Sequence, residues 1–165
     1  SDDTDISLYN LFTRFGDPEI LRDSSRFTSG DLDLLVHLDH ISQGASSNSR
    51  SAVYMASLAG RKILFTGDLD KKGEKALTGK KLNLDCDLLK VSHHGSGSGT
   101  SAEFLAVALP EVAIISAGLG NRFRHPNSEV LDRLEDGGAA ILRTDLDGCL
   151  IIEIDSETIK QIDWR

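Results

Sequence analysis

"CDLLKVSHHGSGSGTSAEFLAVALPEVAIISAG" (residues 86–118) decides the fold class. Its first seven residues form an apolar run bounded by polar residues, the pattern of a buried strand. Residues 101–110 follow with helical character, Ser101 standing where an N-cap belongs and Pro110 just past the helix end. Residues 112–118 are a second buried strand. A strand, a helix and another strand in succession predict an α/β fold, a mixed sheet with helices packed on it. The same stretch raises a chemical question. The chain has five histidines, and His93 and His94 stand side by side at the end of a strand, before a glycine-serine loop. That placement points to metal or phosphate chemistry.

The alternation extends in both directions. Upstream, "LDLLVHL" (32–38), "SAVYMASLA" (51–59) and "RKILFTG" (61–67) read as strands, the last two joined through Gly60. "DLDKKGEKALTGK" (68–80) reads as a short, charged, exposed helix. Downstream, "HPNSEVLDRLEDGG" (125–138) spaces Val130, Leu131 and Leu134 on one helical face and stops at paired glycines. "AAILRT" (139–144) and "CLIIEID" (149–155) read as a hairpin around "DLDG", and residues 158–164 as an added edge strand. The first thirty residues differ, with two short helical signals and "DSSRFTSG" reading as a loop. The expected organisation is an N-terminal appendage or remnant (1–30) and one domain (31–165).

Composition narrows the function. A chain of 165 residues with 39% apolar and 27% charged content suits a single globular domain with its own core. A net charge of −8 repels nucleic acid and anionic membrane over the molecule as a whole. No long basic run with interleaved aromatics appears, although a bound divalent ion inverts the local field and keeps an anionic substrate possible. Cys86 and Cys149 lie in apolar segments with no CxxC spacing, so both read as reduced core thiols. The opening residues lack the form of a signal peptide, and no apolar run reaches the ~20 residues of a membrane span. The expectation is a cytoplasmic chain, or an extracytoplasmic one if cut from a membrane-tethered protein.

Three stretches share one placement, each where an apolar strand gives way to a loop: "FTGD" ending at Asp68, "VSHHGS" with His93 and His94, and "NRFRHPN" with Asn121 and His125. In open α/β sheets such strand ends converge on a common site. Carboxylate oxygen and imidazole nitrogen are the donors of zinc, manganese or iron. Each residue also has a plain alternative. Asp68 is the residue type that caps a helix, the histidine pair suits one packed and one solvated ring, and His125 before Pro126 suits a turn.

The ordered set resembles the metallo-β-lactamase-like hydrolases, in the branch found as a domain of ComEC-like competence and DNA-uptake proteins. The motifs that carry the resemblance are Asn48 with Ser51, Thr66-Gly67-Asp68, His93-His94-Gly95-Ser96, Asn121 with His125-Pro126, and Arg143-Thr144-Asp145 with Gly148. The resemblance runs from about residue 48 to 155. It implies an αββα sandwich, a phosphodiesterase- or nuclease-like activity on a phosphodiester or other small anionic substrate, and two divalent metal ions, zinc or manganese. By position, Asp68 would bridge the metals, His94 would be a metal ligand, and His93 a supporting residue or alternative ligand. Asn121 and His125 would approach the scissile phosphate. The "GSGSGT" loop would either offer N–H groups to an anion or serve as a flexible connector.

One motif of that family is incomplete. His-x-His-x-Asp-His belongs upstream of Asp68, yet "LLVHLDH" supplies only His37, Asp39 and His40, with Leu35 in the place of the first histidine. Either the motif is degenerate, or this is an ordinary strand and loop leading to Asn48 and the match is accidental; the spacing to Asn48 favours the latter. The chain therefore resembles the second half of the domain. Asp68 and His94 cannot hold two metals unaided, and a half-sandwich exposes one sheet face. The resemblance thus predicts a homo-oligomer, a complementing chain, or altered packing over that face, and leaves a non-catalytic binding, structural or regulatory role as the alternative.

Overall fold

The computed structural model describes residues 25–37 and 45–162. Its main sheet has seven strands, and their order across the sheet is their order along the chain. Strands β1 (Arg26–Ser29), β2 (Leu32–His37), β3 (Val53–Leu58) and β4 (Arg61–Phe65) are antiparallel neighbours. From β4 the pairing turns parallel, through β5 (Leu88–Lys90), β6 (Val112–Ile115) and β7 (Ala140–Arg143). The switch follows from the connections. Ala59 and Gly60, both at positive φ (51° and 79°), make the two-residue turn an antiparallel hairpin needs. Each parallel step instead carries a helix: α1 (Lys71–Gly79), α2 (Ala102–Ala108) and α3 (Ser128–Asp136).

Those crossovers all step in the same direction across the sheet. With the right-handed connection that strand twist imposes, such steps put their helices on one face. Strand alternation supplies the other half of the core. Val53, Leu64, Leu89, Val91 and Ile115 point into one cluster with Leu77 of α1, Phe104 of α2, and Val130 and Leu134 of α3. Truncating a fully buried leucine such as Leu89 costs about 2–5 kcal/mol. The opposite face carries Tyr54, Ile63, Phe65, Lys90 and Ile114, half-buried or exposed. Among the described residues no helix is long and apolar enough to cross a membrane.

The structure departs from the sequence reading in several places. Residues 139–155 are not a hairpin. Strand β7 pairs in parallel with β6, and Thr144–Asp147 forms a helical turn, α4, that carries the chain away. Thr144 causes the difference: its hydroxyl accepts from Ala117 N (2.9 Å) and donates to Ala117 O (2.8 Å), pinning the end of β7 to the end of β6. β8 (Ile151–Ile154) pairs with β9 (Ile159–Ile162) as a separate two-stranded sheet, so the strand expected near the end of the chain does not extend the main sheet as far as it is described. "RFTS" within the supposed loop is strand β1, and Gly30 lies in the turn between β1 and β2. Cys86 is buried as expected, but Cys149 is exposed and no core thiol. Helix α1 is capped by Asp70, which accepts from Gly73 N (3.0 Å), and not by Asp68. Nor is α1 wholly exposed, since Glu74 is almost fully buried.

His37 closes β2 as a buried residue opposite Val53. Asp39 and His40 lie outside the described residues, as does most of the expected N-terminal appendage.

Candidate functional site

Parallel strands aligned in sequence order bring their carboxyl ends to one rim, and the three motif loops leave from it. Backbone hydrogen bonds lock those loops together. His93 N donates to Gly67 O (2.9 Å), tying the Asp68 loop to the histidine pair. Asn127 N donates to Gly95 O (2.9 Å), tying the pair to the His125 loop. Pro126, after a cis peptide bond, lies directly against Gly95. Gly95 also has φ +83°, so glycine is required there both for conformation and for space.

Asp68 and His94 line one cavity of about 370 Å³, together with Tyr54, Phe65, Gly67 and Lys90. Asp68 is exposed and makes no hydrogen bond to a described residue. His94 Nδ1 donates to the Ser116 carbonyl (2.7 Å), which leaves Nε2 as the ring nitrogen outside that bond, the position from which a histidine binds a metal or accepts a proton. On its other side His94 borders a second cavity, of about 460 Å³, shared with Asn121, Phe123 and His125. His125 Nδ1 donates to Asn127 Oδ1 (3.0 Å), so here too Nε2 is the ring nitrogen outside that bond.

His93 stands between these rings, its centroid 6.4 Å from His94 and 5.9 Å from His125. Asn48 Nδ2 donates to its Nδ1 across 3.4 Å. Both His93 and His94 hold left-handed backbone, φ 46° and 56°, a conformation that costs a non-glycine residue about 1–3 kcal/mol and clusters at functional positions. Asn121 is spent on its own loop. Its amide donates to Gly118 O (2.9 Å) and His125 O (2.6 Å) and accepts from His125 N (3.0 Å). It therefore positions His125 through the backbone.

Three features of the site escaped the sequence reading. Lys90 sits in the cavity with Asp68; burial pulls its ammonium down and the Asp68 charge opposes that pull. A lone lysine inside the apolar run of β5 was the signal. Glu74 is the second. Its carboxylate accepts from Thr100 N, from Ser101 N (3.0 Å) and from Ser101 Oγ (2.6 Å). Desolvation raises its pKa against those hydrogen bonds and the nearby Arg133 charge. Arg133 grips the same segment through Thr100 O (2.8 Å) and Gly99 O (3.2 Å). Phe123 is the third, a ring 62% exposed at the rim.

The Glu74 clamp overturns both readings of the "GSGSGT" loop. Each N–H from Ser96 to Ser101 already has an internal acceptor: His93 O, Asn127 Oδ1, Ser96 Oγ, Ser96 O and, for the last two, Glu74. The loop is neither a free connector nor an open anion nest.

Asp68 and His94 have the donor chemistry of a divalent ion site, but they are two, and a structural or catalytic zinc takes three or four protein donors. Among the described residues no group of three or more His, Cys, Asp or Glu side chains could hold a metal ion. The described donor set is part of a metal centre at most.

No family model matches the chain. Relatives do. ComE operon protein 3 of Bacillus subtilis (strain 168) is 42% identical over 106 residues, 64% of this chain and 14% of that protein. Competence protein ComA of Neisseria gonorrhoeae is 42% identical over 104 residues, 62% of this chain and 15% of that protein. Recombination protein 2 of Haemophilus influenzae is 36% identical over 105 residues, 62% of this chain and 13% of that protein. The matches thus span 13% to 15% of those relatives' length. Among solved structures, a mutant of the CmlA β-hydroxylase superposes with a TM-score of 0.55 at 12% identity, covering 82% of this chain and 34% of that one. That likeness is one of fold alone. The chain is an α/β structure of the metallo-β-lactamase kind, similar in sequence to a part of the competence proteins.

Proposed function

We propose that this chain carries the second half of a metal-dependent hydrolase domain of the metallo-β-lactamase superfamily, acting on phosphodiesters in a nuclease- or phosphodiesterase-like way. One observation carries the reading: Asp68 and His94, from different strand ends, line the same cavity, with His94 Nδ1 already held by a carbonyl. Asp68 and His94 would be two donors to a pair of zinc or manganese ions, with His93 beside them and the remaining donors from outside the described residues or from a second chain. Such ions would supply an activated hydroxide and neutralise phosphoryl charge.

The chain's own residues have separable tasks. His125, its Nδ1 held by Asn127, faces the phosphate with Nε2 and exchanges a proton there. Asn121 fixes the loop that presents His125. The sheet face opposite the helices, with Tyr54, Phe65 and Ile114, is proposed to be covered by the missing layer, by a partner chain or by a second copy.

The shortage of donors favours a second reading, a non-catalytic domain with a binding or structural role. Metal content and hydrolysis of bis(p-nitrophenyl) phosphate separate the two. Bound zinc or manganese approaching two equivalents, with hydrolysis abolished by Asp68→Ala, supports the enzyme. A chain that takes up neither metal and hydrolyses nothing supports the second reading.

A further inference from the structure

The loop from Gly118 to His125 carries two arginines and no acidic residue in a chain whose net charge is −8. Phe123 projects from it at 62% exposure, and Leu119 at 85%. The guanidinium carbon of Arg122 lies 4.6 Å from the Phe123 ring centroid. The ring is also stacked with His125, centroids 5.8 Å apart and planes 18° from parallel. The loop is not loose, because Asn121 fastens it at both ends and Arg124 N donates to Asn121 O (3.0 Å). Among the described residues neither Arg122 nor Arg124 forms an ion pair. A fixed, exposed aromatic ring flanked in sequence by two arginines that form no ion pair among the described residues, at the lip of the His94 and His125 cavity, has the chemistry to take a flat ring and an adjoining anion together.

We propose that Phe123 is a specificity-determining residue: it stacks a planar ring carried by the phosphodiester, such as a nucleobase, while Arg122 and Arg124 hold the neighbouring phosphates. The proposal rests on the phosphodiester reading of the same site and adds what selects among phosphodiesters. It has a readout independent of catalysis.

The test compares a fluorescein-labelled thymidine tetranucleotide with an abasic phosphodiester oligomer of equal length and charge. Binding is followed by anisotropy at low salt, with EDTA present so that hydrolysis cannot intervene. The wild-type chain is expected to hold the thymidine oligomer roughly tenfold more tightly, within the range of one base–aromatic stack. Phe123→Ala should remove that preference and Phe123→Trp should keep it. Arg122→Gln and Arg124→Gln should weaken both oligomers alike and flatten the salt dependence. Equal affinity for the two oligomers, no binding of either, or a preference that survives Phe123→Ala overturns the proposal. A preference that depends on Phe123 in a chain without hydrolytic activity sinks only the enzymatic reading. Hydrolysis without such a preference sinks only this one.

Discussion

Gly95 and Pro126 are packed so closely that a β-carbon added at Gly95 would lie 2.5 Å from Pro126 Cβ. This contact is the joint between the two histidine-bearing loops. Gly95→Ala must displace backbone on one side of it and also hold a side chain at φ +83°. We expect a loss of about 2–4 kcal/mol in urea unfolding. Gly97→Ala is the control, since its new methyl would meet only Asn127 at 3.7 Å and its φ is ordinary. A Gly95→Ala chain as stable as Gly97→Ala would show that the joint is not rigid.

The Glu74 clamp predicts a pH dependence of stability. Burial raises the folded-state pKa of this carboxyl above its ordinary 4.5. Its contribution to stability is therefore fully present below about pH 4.5 and declines as pH rises through the raised folded value. Glu74→Gln should remove that decline, and because the carboxyl is already protonated at low pH, the variant and the wild type should differ least there. Urea midpoints across pH 4 to 8 read both effects. An unchanged pH profile in the variant would falsify the assignment.

Asp70 works in the opposite sense. Burial raises its carboxyl, but hydrogen bonds from Ser49, Gly73 N, Ser46 and Lys72 N outweigh it and hold the group below its ordinary value of 3.8. Its stabilisation is present above about pH 3.8 and disappears as pH falls through the lowered folded value. Asp70→Ala also removes the cap of α1, at a cost of about 1–2 kcal/mol near neutrality. Circular dichroism melts at pH 3 and pH 7 should show a gap between wild type and variant that narrows on the acid side.

The two thiols should separate cleanly. Cys149 is exposed, whereas burial, with help from Asp87 and Asp85, pushes the Cys86 thiol up to about 12. Thiolate availability governs alkylation. Iodoacetamide at pH 8 should modify one cysteine in the folded chain and two in urea. Mass spectrometry that finds Cys86 labelled in the native chain would contradict its burial.

The parallel half of the sheet was legible because apolar runs such as residues 86–92 and 112–118 match buried strands and their helices carry recognisable ends. Strand β1 was not, since "RFTS" has one apolar residue and gains its strand only by pairing with β2. The hairpin reading of 139–155 failed for a tertiary reason: Thr144 bonds to Ala117, 27 residues away, and no local pattern reveals that. The cap of α1 was ambiguous between two aspartates in "DLD", and only the helix start at Lys71 chooses Asp70. Asp68, His93, His94 and His125 could be nominated from their strand-end positions. Glu74 could not, because a glutamate among lysines on a short helix reads as solvated, and its burial depends on a loop that arrives later in the chain.

The chain-order arrangement of strands has a kinetic meaning. No pairing in the main sheet requires a strand to search past its immediate successor, so every closure spans one hairpin or one crossover. Such topology has modest contact order for a parallel sheet, and refolding should pass through successive docking of adjacent units rather than one late, distant closure. The edge at β7 would be the last to dock if growth starts from the β3–β4 hairpin, and the loops bearing His94 and His125, which follow β5 and β6, would meet one step before it.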